Sequence, residues 1–156
     1  MFTLRLKGLR LEPQRVRRAV DRAKGRVLGR SADLIRDTAQ QSMPDREGLA
    51  PPGQPPRMES AWLKRSVRSA WDRSSQTSLA GPVRAGGAGA GEERMLMRVL
   101  EFGGQYVLGR RARRRRRIRG NRRMVVQVKA KPYMAPALKQ ENRKLPALWR
   151  GSIHGS

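Results

Sequence analysis

The sequence predicts an α+β fold: one domain over residues 1–156, with a mainly antiparallel sheet packed by a long N-terminal helix and a C-terminal helix. Three observations carry that expectation. Apolar residues from Val16 to Ile35 recur at three- and four-residue steps, the period of a helix with one buried face. Two pairs of short β-prone runs follow, each pair bracketing a polar or glycine-containing turn. Helices and strands fall in the order β-α-loop-β-β-α-β-β-α, with strands in adjacent pairs as antiparallel hairpins require.

The elements follow in order. Phe2 to Gly8 alternates apolar and polar residues and stops at glycine, as a short strand does. A helix is expected from about Pro13, since proline is tolerated in a first turn, and it should end near Met43, before Pro44. Its stripe is Val16, Val20, Ala23, Val27, Leu34 and Ile35, widened by Ala19, Ala32 and Ala39. Gly25 and Gly29 mark a weak point or a close contact.

Residues 44–58 hold five prolines and two glycines up to Arg57, so an extended loop is expected. Ser60 to Val67 makes a helical turn or enters a strand. The stretches Ser66–Trp71 and Thr77–Arg84 then form two strands about the turn Asp72-Arg73-Ser74-Ser75. Ala85–Gly91 is a Gly/Ala loop, and Glu92–Phe102 a helix with acids at its start, stopped by Gly103-Gly104. Residues 105–131 read as a long basic hairpin built on Gln105–Leu108 and Met124–Val128, with Gly120-Asn121 at its turn. A final helix carries Leu138, Leu145, Leu148 and Trp149, perturbed by Pro146.

The chain is strongly basic, with a formal net charge of +24. Between Arg110 and Arg123, ten of fourteen residues are arginine: Arg110, Arg111, Arg113, Arg114, Arg115, Arg116, Arg117, Arg119, Arg122 and Arg123. Such density is costly against itself and favourable against phosphate or an acidic protein surface. The run is therefore the expected contact with DNA or an acidic partner. Its internal position argues for a segment built into the fold rather than a terminal address signal. Aromatic residues make up only 4%, which disfavours single-strand binding by base stacking.

Several function classes are excluded at this level. Without cysteine there is neither a disulfide framework nor thiolate chemistry. No apolar run approaches the roughly 20 residues of a membrane span. Met1–Leu11 has no secretory apolar region, so cytoplasmic synthesis without a membrane partner is expected. His154 is the only histidine, and Gly86–Gly91 lacks the lysine of a phosphate loop. Asp33, Asp37, Glu92, Glu93 and Glu101 are scattered; Asp33 and Asp37 share a helix face and should pair with Arg30 and Arg36. No catalytic residue, metal site, cofactor or small-molecule substrate is expected.

Three boxes carry a resemblance. Ala50-Pro51-Pro52-Gly53-Gln54-Pro55-Pro56 leads into Leu63-Lys64-Arg65-Ser66-Val67; Val99-Leu100-Glu101-Phe102-Gly103-Gly104 follows two strands; Lys131-Pro132-Tyr133-Met134-Ala135-Pro136-Ala137-Leu138 precedes Leu145 to Arg150. In order and spacing the set resembles the tail-component or neck-protein family of long-tailed double-stranded-DNA bacteriophages. It departs from that family at Arg57–Ser60, where relatives often show a threonine-glycine pair, and in its longer, more basic hairpin.

The resemblance implies a non-enzymatic virion protein, made in the host bacterial cytoplasm, that completes the tail or joins it to the head. It implies a homo-oligomeric ring, most often hexameric, around the DNA conduit. Its implied neighbours are stopper or adaptor, tail-terminator and tail-tube proteins and packaged double-stranded DNA. Pro51, Pro52, Gly53, Pro55 and Pro56 would form a subunit arm. Leu63, Val67, Glu101, Phe102, Gly103, Pro132, Tyr133, Met134, Pro136, Leu138 and Trp149 are the structural positions of the boxes, with Phe102 expected to be buried. The alternative from another class is a sequence-independent RNA- or DNA-binding protein such as a ribosome-associated factor, which the charge fits equally well.

Overall fold

The computed structural model describes residues 13–45, 48, 50–57, 62–83, 90–107 and 125–153. Within them the chain is α+β. Helix α1 (Pro13–Ser42) is followed by α2 (Trp62–Ser66), the strands β1 (Val67–Asp72) and β2 (Thr77–Pro82), and α3 (Ala90–Phe102). Strands β3 (Gly104–Val107) and β4 (Val125–Val128), then α4 (Met134–Asn142) and α5 (Leu145–Trp149), complete the order. The strand expected at Phe2–Gly8 lies outside the described residues.

Helix α1 begins at a proline whose missing N–H is unneeded in a first turn, and no further proline interrupts it before Pro44. It buries Ala23, Val27, Ala32 and Ala39, small residues that let neighbouring elements approach its backbone. Ser31 is buried on the same face because its hydroxyl donates to the Val27 carbonyl at 2.7 Å. The expected stripe is only partly buried: Val16 and Val20, in the first two turns, are exposed. Gly25 proves to be a close contact, since a Cβ there would lie 3.6 Å from the Trp71 indole, whereas Gly29 faces open space.

The strands form two separate two-stranded antiparallel sheets, β1–β2 and β3–β4, where one sheet was expected. Alternation of residue type specifies which face of a hairpin is buried, and it carries no information on which edges join. A lone two-stranded ribbon is marginal in water, so each needs a helix behind it. The first pairs Val67 with Pro82 through Asp72 with Thr77, and its inward residues Val67, Ser69 and Trp71 face α1. Arg36 of α1 donates to Ser69 Oγ at 2.8 Å and pairs with Asp33 and Asp37 at 2.8 and 2.7 Å. Gln40 Nε2 donates to the carbonyls of Lys64 and Val67, clamping the α2–β1 junction to α1.

The core gathers Ala39 and Met43 of the α1 end, Leu63 and Val67 of α2–β1, Met97 of α3, and Tyr133 and Ala137 at the start of α4. Each large apolar side chain fully buried there contributes about 1.5–3 kcal/mol. The final helix is two helices rather than one, with α4 ending at Asn142 and α5 starting at Leu145. Pro146 belongs to the first turn of α5, which explains the break, because proline starts helices better than it continues them. Among the described residues no helix is long and apolar enough to cross a membrane.

Candidate functional site

The second and third boxes meet where α3 ends and α4 begins. Tyr133 caps α4 without any side-chain hydrogen bond of its own, so the first backbone N–H groups of the helix need an outside acceptor. Glu101, in the last turn of α3, supplies it. One carboxylate oxygen accepts from Tyr133 N and Met134 N at 3.0 and 3.1 Å, and the other from Ala135 N at 2.8 Å. A negative charge at that end also complements the helix dipole. Pro136 follows in the first turn, where its lack of an N–H costs nothing.

Gly103 and Gly104 turn the chain from α3 into β3 with φ of +75° and +125°. The Gly103 N–H closes the last helical turn on the Val99 carbonyl at 2.8 Å. A Cβ at Gly103 would lie 3.1 Å from the Ala130 backbone nitrogen, so the β4–α4 connection passes directly over this glycine. Lys131 N donates to the Leu100 carbonyl at 2.7 Å and holds that connection in place.

Tyr133 is 1% exposed, packed in the core with Leu63 and Val67 of the first box. Its hydroxyl is buried without a hydrogen-bond partner among the described residues. Burial, with the charge of Glu101 second, pushes that hydroxyl's pKa up to about 12. Glu141, on the following turns of α4, is also buried; its carboxylate accepts from Lys144 Nζ and Thr38 Oγ1, both at 2.9 Å, and these bonds hold its pKa below the usual range.

Phe102 corrects an expectation: it is 76% exposed rather than buried. As the last residue of α3, immediately before the glycine turn, it faces away from the core that Met97 and Val99 enter. With exposed Leu79 of β2 and Leu138 of α4 it rims an open apolar groove of about 640 Å³. Ile35, Met97 and Met134 lie at its floor, and Arg98 and Glu101 are its charged members.

The proline loop folds back onto the body at its end. Gly53, at φ +80°, donates its N–H to the Ala130 carbonyl at 3.0 Å, and Ala50 and Pro56 are buried. Pro51, Pro52 and Gly53 remain exposed, and Pro55 is half-buried. Pro132 is half-buried, and Trp149 is exposed on α5. The arginines of the run, Arg110 to Arg123, lie outside the described residues. β3 and β4, on either side of the run in sequence, pair antiparallel, with Val107 opposite Val125.

Sequence reasoning missed the role of Glu101, which it took for one of several scattered acids. A signal was present: a carboxylate in a helix's last turn opposes that helix's own dipole, so it needs a partner from elsewhere. Among the described residues no group of three or more His, Cys, Asp or Glu is placed to hold a metal ion. Comparison with protein-family models, with curated proteins and with solved structures gives no match.

Proposed function

We propose that the chain is a structural protein of the neck or tail of a long-tailed bacteriophage: one domain that assembles as a ring, most simply a hexamer, around the DNA conduit. The observation that supports this reading most is the meeting of the three boxes on which the resemblance rests. Leu63 and Val67 share a core with Tyr133, and Glu101 caps the helix that Tyr133 opens. Residues far apart in sequence thus serve one local design, as a family signature would.

Two surfaces suit ring assembly. The groove rimmed by Phe102, Leu79 and Leu138 offers apolar area that a neighbouring subunit would cover, and the exposed tip Pro51-Pro52-Gly53 offers an arm. The arginine run would meet the DNA or an acidic face of an adjoining ring, without sequence preference, because phosphate contacts position but do not specify.

The decisive experiment is genetic. Removing the gene from its phage should leave DNA-filled heads and tails unjoined in electron micrographs, and supplying the chain in trans should restore infectious particles. Normal joined virions from the deletion would overturn the reading. A purified chain that stays monomeric and binds RNA with a steep salt dependence would favour the ribosome-associated alternative instead.

A further inference from the structure

A basic surface formed by residues outside the arginine run lies between α1 and α5. Arg22, Arg26 and Arg30 recur every four residues and so stand in one row along α1. Arg150, which follows α5, faces them across an open groove of about 520 Å³. All four are exposed, and among the described residues no acidic side chain lines the groove. Its floor is apolar, formed by Ala19, Val27 and Leu148.

The row is unbalanced as well as basic. Like charges four residues apart on a helix repel, and a row of three repeats that penalty. The acids beyond Arg30 on α1, Asp33 and Asp37, are both taken by Arg36. Asp21 lines the neighbouring hollow with Trp71 and Gln76, on the other flank of the Arg22–Arg26 ridge. Among the described residues none of the four arginines is in an ion pair. Arg26 is nevertheless held in place, for its Nη2 donates to the Ser152 carbonyl at 3.0 Å, leaving its other N–H groups free to point into the groove.

We propose that Arg22, Arg26, Arg30 and Arg150 form a binding groove for the phosphodiester backbone of a nucleic acid. With a rise of 1.5 Å per residue, the guanidinium groups of the row are rooted at steps of about 6 Å. That is a linear array of cations rather than a single pocket, and it suits a linear array of anions. Recognition is sequence-independent, since every group faces phosphate. The groove stands on the geometry of α1 and α5 alone and holds whether or not the chain forms a ring.

Two measurements test it. In the first, the folded full-length chain is treated with an arginine-specific dicarbonyl reagent, alone and with a 20-base-pair DNA duplex, an RNA duplex or polyglutamate, and modification is mapped by mass spectrometry. Both duplexes should protect Arg22, Arg26, Arg30 and Arg150 several-fold more than the exposed Arg65 and Arg68. Protection by DNA alone would narrow the ligand to DNA, and by RNA alone to RNA. Uniform protection of all arginines, or protection by polyglutamate equal to that by the duplexes, would overturn the proposal.

In the second, the variant R22Q/R26Q/R30Q/R150Q is compared with the charge-matched control R65Q/R68Q/K129Q/K139Q. The salt dependence of log Kd for duplex should lose about three to four in slope in the first and less than one in the second, at about 0.9 per phosphate contact for B-DNA. Equal losses would overturn the groove. The footprint on the unaltered chain decides the matter even if the quadruple variant folds poorly.

Discussion

Glu101 Oε1 accepts the backbone N–H of Ala135 at 2.8 Å, tying the last turn of α3 to the first turn of α4. Together with the bonds to Tyr133 and Met134, one carboxylate satisfies three donors that would otherwise be orphaned at a helix start. Glu101→Ala should therefore destabilise the fold by about 2 kcal/mol in urea denaturation, the range for losing a charged cap. Glu101→Gln keeps one acceptor oxygen and should lose about half as much. Equal stability of all three proteins would show that water replaces the carboxylate without cost.

Gly103 and Gly29 make opposite predictions for the same substitution. Gly103 has φ +75° and an Ala130 nitrogen 3.1 Å from where a Cβ would stand. Gly103→Ala should cost about 1–3 kcal/mol through backbone strain and the displaced β4–α4 connection. Gly29 lies inside α1 with nothing within 4 Å of its would-be Cβ. Gly29→Ala should raise stability by about 0.5–1 kcal/mol, because alanine favours the helix and restricts the unfolded chain. Thermal melts of the two variants give the comparison directly.

That contrast marks how far the sequence could be read. Helix α1 was legible almost to the residue, because Pro13 and Pro44 bracket a periodic stripe and both act locally. The β1–β2 hairpin was legible for the same reason, from alternation and turn residues, and so were the β-prone stretches that pair as β3 and β4. What the sequence hid depends on contacts between distant segments. Two glycines in α1 look alike until Trp71 is found against one of them. Glu101 looks like any surface acid until α4 is placed beside it, and Phe102 looks like a core residue until its turn is known to point outward. Local chemistry writes elements into a sequence; the edges that pair and the faces left bare are decided by the whole chain.

The Tyr133 hydroxyl gives a pH dependence with a definite sign. Its pKa is about 10 in an unfolded chain and about 12 in the fold. Between these values the folded state keeps a proton that the unfolded state releases, so stability is full below about pH 10 and falls as pH rises toward 12. Tyr133→Phe removes the ionisable group and should flatten that decline. At neutral pH the variant should match the parent or exceed it by up to about 1 kcal/mol, since the buried hydroxyl has no partner to lose. Urea titrations at pH 7, 9 and 11 would reveal both effects, and a large loss at pH 7 would indicate a bonded hydroxyl.

Asp72 sets the acid limit of the β1–β2 turn. Its carboxylate accepts from the Ser74 and Ser75 hydroxyls, each at 2.6 Å, and from the Ser74 N–H at 2.8 Å, which lowers its pKa to about 2. The contribution is present above the unfolded value of 3.8 and is lost as pH falls through about 2. A carboxyl NMR titration should place the Asp72 midpoint about two units below a free aspartate. Asp72→Asn keeps an acceptor for the turn and should abolish this acid-dependent change.

Phe102 offers the sharpest separation between folding and the proposed assembly. At 76% exposed, its ring adds little to the monomer, so Phe102→Asp should lower the melting temperature of the monomer by only a few degrees, the cost of an acid at a helix's C-terminal end. If the groove it rims with Leu79 and Leu138 is a subunit contact, the same change places a charge in apolar area that assembly must dry, at a cost of several kcal/mol per interface. A ring repeats that interface at every subunit, so the loss should be all or none: light scattering should find rings for the parent and monomers for the variant. Arg68→Asp, on the exposed face of β1 and outside the groove, is the control and should still assemble. Rings formed equally by both variants would remove this groove from the assembly and leave the Pro51-Pro52-Gly53 tip as the surface to alter next.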